Sequence, residues 1–276
     1  MKLFFAGINP NEYPEVFAKY PESGYLISYA EKKASKTLQS TTVESFLDCG
    51  AYTAFRTGKI IERQKYLDFV TEHQKYCSVV AYLDVIGNAE ESFKNYEWFL
   101  QKGMTGIPTF HLGSPWHHLE MLLERWRYIA IGGVAWRLAS RKISSDSPTL
   151  LRMLAKCHEM ARQRNVLLHG FGITSFNLLA SFPWHSVDST TPLIGSRFGH
   201  LLLPKWRPFK IRQFFCDNGK YKAKRSEISK MLSDCPFQHG FCWSDLFENK
   251  NAARNRVAFN CIAMAWCVRY LTKAKQ

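Results

Sequence analysis

The 276-residue sequence contains nothing close to the roughly 18 consecutive apolar residues that cross a bilayer. Its start, MKLFFAGINPNEYPE, turns polar at Asn9, too early for a secretory signal, so a cytoplasmic protein with no membrane partner is expected. No repeat recurs at a solenoid period, and there is no low-complexity tract or Gly/Ser linker, which excludes a repeat array. Without an export signal, the eight cysteines do not read as a disulfide framework. Cys49, Cys77 and Cys157 read as buried free thiols. What is present is enough apolar material for a large core: 46% of the chain is hydrophobic and 14% aromatic, which excludes wholesale disorder.

Acidic residues are the scarce charge. Asp and Glu number 23 against 37 Lys and Arg, a formal net charge of +14. Most of the excess lies from Arg197 to Gln276, where 16 basic residues face 5 acidic ones. A field of this sign attracts a polyanion, usually nucleic acid, because neutralising phosphates releases condensed counterions. A solvated basic surface is the plainer alternative.

Short apolar runs alternate with amphipathic stretches. The runs are KLFFAGI from Lys2, ESFLDCG from Glu44, SVVAYLDVIG from Ser78, TGIPTFHLG from Thr105, YIAIGGVA from Tyr128, NVLLHGFGI from Asn165 and HSVDST from His185. Continuous Val/Ile/Leu/Phe runs fit strands covered on both faces. Helix patterns cover Ile61 to Tyr76, Ala89 to Lys102, Trp116 to Arg125, Pro148 to Arg164 and Ser175 to Ser181. Asn88 and Ser147 stand where N-caps belong, and Pro148 takes the first helical position. The alternation predicts an α/β fold, a (β/α)8 TIM-type barrel over residues 1–204, with an eighth strand somewhere in Pro192 to Leu203. Residues 205–276 then form a basic C-terminal appendage: a loop from Lys205 to Arg212, a Cys/His segment from Cys216 to Cys242, and a helix from about Asn251 to Lys273.

Active sites of parallel barrels lie at the carboxyl ends of the strands. Six runs end there in a polar residue or a glycine pair: Asp48, Asp84, His111, Gly132 with Gly133, His169 and Asp188. Such residues also cap neighbouring helices, but three carboxylates in one mouth can divide nucleophilic, acid/base and recognition roles. Displacement at an anomeric carbon with retention needs that division, with carboxyl groups roughly 5 to 5.5 Å apart in typical glycosidases. Asp and His at strand ends also bind divalent metals. The sequence has no HxH pair on a first strand and no carboxylate-rich magnesium motif. The glycines would let a flat ligand reach the backbone, or simply make a tight turn.

In order, LDCGAYTAF (Leu47 to Phe55), YLDVIG (Tyr82 to Gly87), PTFHLG (Pro108 to Gly113), AIGGVA (Ala130 to Ala135), HGFGIT (His169 to Thr174) and SVDST (Ser186 to Thr190) resemble the tRNA-guanine transglycosylase superfamily. The likeness is to its short phage and bacterial DNA-modifying members of the DpdA type, and spans about residues 44 to 200. The resemblance implies that Asp188 attacks the anomeric carbon of a guanosine nucleotide, expelling guanine and forming a covalent glycosyl-enzyme. It implies that Asp48 is the general acid/base. Asp84 would read the purine's pairing edge, with His111, Gly132, Gly133 and His169 completing the base pocket. A base that must enter such a pocket is single-stranded or flipped. The implied partners are DNA, or tRNA as the alternative, and a free 7-deazaguanine such as 7-cyano-7-deazaguanine. No ATP or redox cofactor is implied, and a phage-encoded enzyme would work in the host cytoplasm.

The chain departs from the family pattern in places. Cys49 stands where many relatives have Ser, Ala51-Tyr52 replaces Gly-Phe, and His111 lies where the tRNA enzymes often have Gln. Their compact C-x-C-x-x-C zinc motif is missing. Cys216, Cys235, His239 and Cys242 offer the right ligand types for a structural Zn2+ after the barrel, in irregular spacing. Lys205, Arg207, Lys210 and Arg212, interleaved with Trp206 and Phe209, suit phosphate contacts and base stacking. Chain length and the missing motif favour DNA over tRNA by analogy. A non-catalytic nucleic-acid-binding relative and a metal-dependent barrel hydrolase are the competing expectations.

Overall fold

A computed structural model describes residues 1–134, 138, 144–206, 209–214 and 225–274. Eight parallel strands make the central sheet: β1 Lys2–Ala6, β2 Gly24–Ser28, β3 Ser45–Asp48, β4 Val79–Val80, β5 Thr109–His111, β6 Tyr128–Gly132, β7 Leu167–Gly170 and β8 Ser186–Ser189. Their order is β4-β3-β2-β1-β8-β7-β6-β5. The sheet curls until its two ends meet at one parallel bridge, Ala81 to Ile107. Ile107 N–H donates to the Val80 carbonyl at 2.8 Å and Tyr82 N–H to the Ile107 carbonyl at 2.9 Å. The seam is short, and buried hydroxyls take up backbone groups beside it. Tyr66 Oη donates to the Ala81 carbonyl at 2.6 Å, and Tyr96 Oη to the Thr109 carbonyl at 3.0 Å.

Two buried clusters follow from the curl. Inside the ring lie Phe4, Ala6, Leu26, Phe46, Ala81, Ile107 and Ala130, contributed in alternation by successive strands. Gly24 is part of that packing, since a Cβ there would sit 2.4 Å from the Phe4 ring. The larger cluster lies between the sheet and the surrounding helices and includes Tyr66, Phe99, Leu123 and Leu154.

The eighth strand is not where the sequence pattern put it. GYLIS at Gly24–Ser28 was not read as a strand, yet it lies between β1 and β3. Residues expected to be a strand from Pro192 instead form a helix, Thr191–Arg197, and Leu201–Trp206 (β9) pairs antiparallel with Phe209–Phe214 (β10) outside the barrel. The basic segment is therefore a hairpin with Lys205 opposite Lys210, not a loop, and the expected boundary at residue 204 falls inside β9. Short helices at Pro14–Lys19, Ala34–Ser40 and Ala51–Thr57 were also unforeseen. Arg63–His73, Ala89–Gln101, Trp116–Arg125, Pro148–Gln163 and Phe176–Ser181 follow the expected pattern, whereas Arg225–Ser233 and Trp243–Phe247 add to it. The Asn88 side chain caps as expected, accepting from Glu91 N–H at 3.0 Å, whereas the Ser147 side chain makes no cap bond.

The helix after β8 has only seven residues. A 23-residue helix, Ala252–Ala274, packs against it, β9, β1 and the first helix, and buries residues around most of its circumference. Asn260 fastens it, accepting from Leu202 N–H at 2.8 Å and donating to Ser196 Oγ and the His200 carbonyl, each at 2.9 Å. Among the described residues no helix is long and apolar enough to cross a membrane.

Candidate active site

The carboxyl ends of β3, β5, β6 and β8, with the turn after β4, gather the predicted polar residues at one mouth, except His169 of β7, which lies deeper. Asp48 closes β3. Its Oδ2 accepts Gly50 N–H at 3.0 Å, and Gly50 has φ +84°, a left-handed turn that starts the helix Ala51–Thr57. The barrel wall desolvates the Asp48 carboxyl, and the charges of Asp84 and then Asp188 raise it further. Gly50 N–H and the Ser28 hydroxyl oppose that trend, and the outcome is a pKa pushed up to about 7. The three acids thus share one electrostatic environment, although 36 residues separate Asp48 from Asp84 and 104 separate Asp84 from Asp188.

Asp84 is buried between two side chains. His111 Nε2 lies 2.6 Å from Oδ2, and the Cys49 thiol donates to Oδ1 at 3.0 Å. Burial, reinforced by Asp84 and Asp48, pushes the Cys49 thiol well above its ordinary pKa, so it is a neutral donor. Cys49, expected only as a buried free thiol, is also a partner of Asp84, and its place beside Asp48 was the available signal. Gly132 has a different use from the one expected of it. A Cβ there would meet His111 Nδ1 at 2.7 Å, so the missing side chain makes room for the imidazole that holds Asp84. Its carbonyl accepts Leu112 N–H at 3.0 Å. Gly133 makes the following turn, at φ +85°.

Asp188 Oδ1 accepts Gly172 N–H at 2.8 Å and lies 3.4 Å from His169 Nε2. His169 is fully buried among Phe4, Phe46 and Phe171, so it stands behind Asp188 and not at the mouth. Its Nδ1 lies 2.7 Å from Ser186 Oγ, which in turn lies 2.5 Å from Tyr128 Oη. Neither Ser186 nor Tyr128 was singled out in the sequence. An inward position two residues before Asp188 was the signal for Ser186.

The proposed nucleic-acid and metal residues are less complete. Arg207 and Cys216 lie outside the described residues; Lys205, Lys210 and Arg212 lie in β9 and β10. His239 uses both ring nitrogens locally: Nδ1 accepts Phe241 N–H at 3.1 Å and Nε2 lies 2.9 Å from the Leu232 carbonyl. Cys242 caps the helix Trp243–Phe247, its thiol 3.0 Å from Asp245 Oδ2. Cys235 is a free, half-buried thiol. Among the described residues no three His, Cys, Asp or Glu side chains are grouped to hold a metal, and the fourth residue of the expected set, Cys216, lies outside them.

No family model and no curated protein matches the chain. Among solved structures, one described as a 4-hydroxy-2-oxoglutarate aldolase/2-deydro-3-deoxyphosphogluconate aldolase from TTHB1 is similar over 70% of this chain and 84% of its own, at 11% identity and a TM-score of 0.44.

Proposed function

We propose that the protein is a base-exchange transglycosylase that replaces guanine in DNA with a 7-deazaguanine. The observation that carries the reading is the convergence of three strand-end carboxylates, Asp48, Asp84 and Asp188, where burial and both other acids push the Asp48 pKa up to about 7. An acid poised there is populated in both protonation states at neutral pH, as a group that must give a proton and later take one requires.

In the first half-reaction Asp188 attacks C1′ of the nucleotide. The C1′–N9 bond breaks, its electron pair leaves with guanine, and Asp48 supplies the proton that makes the leaving base neutral. In the second, Asp48 takes the N9 proton of the incoming base and N9 attacks C1′. The C1′–O bond to Asp188 then breaks and the carboxylate is restored. No ATP or redox equivalent is consumed. Asp84, held between His111 and Cys49, presents its carboxylate to N–H donors on the purine edge.

Incubation with a labelled 7-deazaguanine and either DNA or tRNA, followed by nucleoside analysis, tests the reading. Label is expected in DNA, with a covalent adduct trapped by wild type and absent from Asp188→Ala. Label in tRNA alone would change the substrate to tRNA. Guanine exchange in neither, with nucleic acid still bound, would favour the non-catalytic relative.

A further inference from the structure

We propose that His169 is a positioning residue for Asp188: its buried Nε2–H, set by a hydrogen-bond chain through Ser186 to Tyr128, holds Oδ1 and leaves Oδ2 as the attacking atom. The inference rests on the transglycosylase reading for the attack itself, but the contact does not depend on it.

The direction of the protons follows from the chain. Burial pushes the Tyr128 phenol up to about 12, so it keeps its proton, and Ser186 Oγ, 2.5 Å away, is the acceptor that the described residues offer it. Ser186 then donates to His169 Nδ1 at 2.7 Å. Burial lowers the His169 pKa, so the ring is neutral and carries one proton, which the chain assigns to Nε2. The opposite tautomer would aim a nitrogen lone pair at a carboxylate oxygen 3.4 Å away, in a site walled by Phe46 and Phe171 with ring centroids at 4.7 and 4.6 Å. By strict geometry Nε2 has no hydrogen-bond partner among the described residues, and the Asp188 carboxylate is the acceptor placed beside it. The 3.4 Å separation is long for a finished bond, as contacts in ligand-free catalytic sites often are.

Asp188 Oδ1 therefore faces two N–H groups, from Gly172 at 2.8 Å and from His169. No described residue donates to Oδ2. The carboxylate's rotation is fixed, and the oxygen left free is the one able to form the bond to C1′.

Imidazole 15N–1H spectra of the whole protein, compared with Asp188→Asn, Ser186→Ala and His169→Gln, test the contact without activity. The expected result is an Nε2–H tautomer whose resonance moves in Asp188→Asn and loses its tautomeric bias in Ser186→Ala. An Nδ1–H tautomer, or a resonance indifferent to Asp188→Asn, would overturn the inference. In exchange assays His169→Leu should lower kcat roughly 10- to 100-fold, the loss of one hydrogen bond to a charged group. KM for the free base should stay within about 2-fold, and His169→Gln, which keeps an N–H near Nε2, should recover part of the rate. Equal loss in Leu and Gln variants of unchanged thermal stability would also overturn it. If wild type exchanges no base while the spectra hold, the transglycosylase reading fails and the hydrogen bond stands.

Discussion

Replacing Asp48 with Asn should abolish exchange and stabilise the protein, the second effect growing with pH. Lifting the Asp48 pKa from 3.8 to about 7 is a bias of about 4 kcal/mol against the ionised form. Between about pH 4 and 7 the native state holds this proton while the unfolded chain has already lost it, so wild-type stability falls as pH rises through that window. Asn is neutral throughout and can still accept Gly50 N–H. Its advantage should be small near pH 4, grow to pH 7 and level off above. Asp48 is partly open to solvent, which reduces the ceiling to about 1–3 kcal/mol, or roughly 2–10 °C in Tm for a chain of this size. Thermal unfolding of both proteins at pH 5 and pH 8, followed by circular dichroism, measures it. An Asn variant no better favoured at pH 8 than at pH 5 would refute the shared-mouth electrostatics, and with it the acid/base assignment.

Three further changes probe the scaffold of the site. Gly132→Ala puts a methyl 2.7 Å from His111 Nδ1, so the ring must leave its 2.6 Å contact with Asp84. KM for the base should rise about 10-fold or more, from a charge-assisted bond worth about 1.5–3 kcal/mol, and an unchanged KM would separate His111 from base recognition. Maleimide labelling followed by peptide mass spectrometry should modify exposed Cys242 in the native protein and reach Cys49 only after denaturation, because Cys49 is buried and its thiol is held protonated. Comparable rates at the two would contradict that placement. Asn260→Ala removes the partner of Leu202 N–H and leaves the Ser196 and His200 oxygens short of a donor; urea unfolding should show a loss of about 2–4 kcal/mol.

The strand-end acids were legible because a polar residue closing an apolar run is a local pattern, and parallel βα units bring such ends to one face whatever their separation. Two things were not local. GYLIS, outside the expected strands, is β2, and its Gly24 receives the Phe4 ring from the neighbouring strand, a contact no local pattern shows. The glycine at 132 likewise looks like a backbone opening for a ligand until His111 is seen lying across it. Cys235, His239 and Cys242 match a ligand set by type, and here the His239 nitrogens bond within a turn and Cys242 contacts Asp245 at a helix start.

Among the described residues no Lys or Arg pairs with the three acids of the mouth, despite the chain's net charge of +14. Asp48 is held by Gly50 N–H and Ser28, Asp84 by Cys49 and the His111 imidazole, and Asp188 by Gly172 N–H beside His169. A guanidinium here would orient a carboxylate as well, but it would also pull the pKa of Asp48 down. Small dipoles fix the oxygens in place, and the repulsion of Asp84 and Asp188 adds to burial in raising the Asp48 pKa. On the proposed transglycosylase reading, that repulsion serves the proton transfers between Asp48 and the leaving and entering bases.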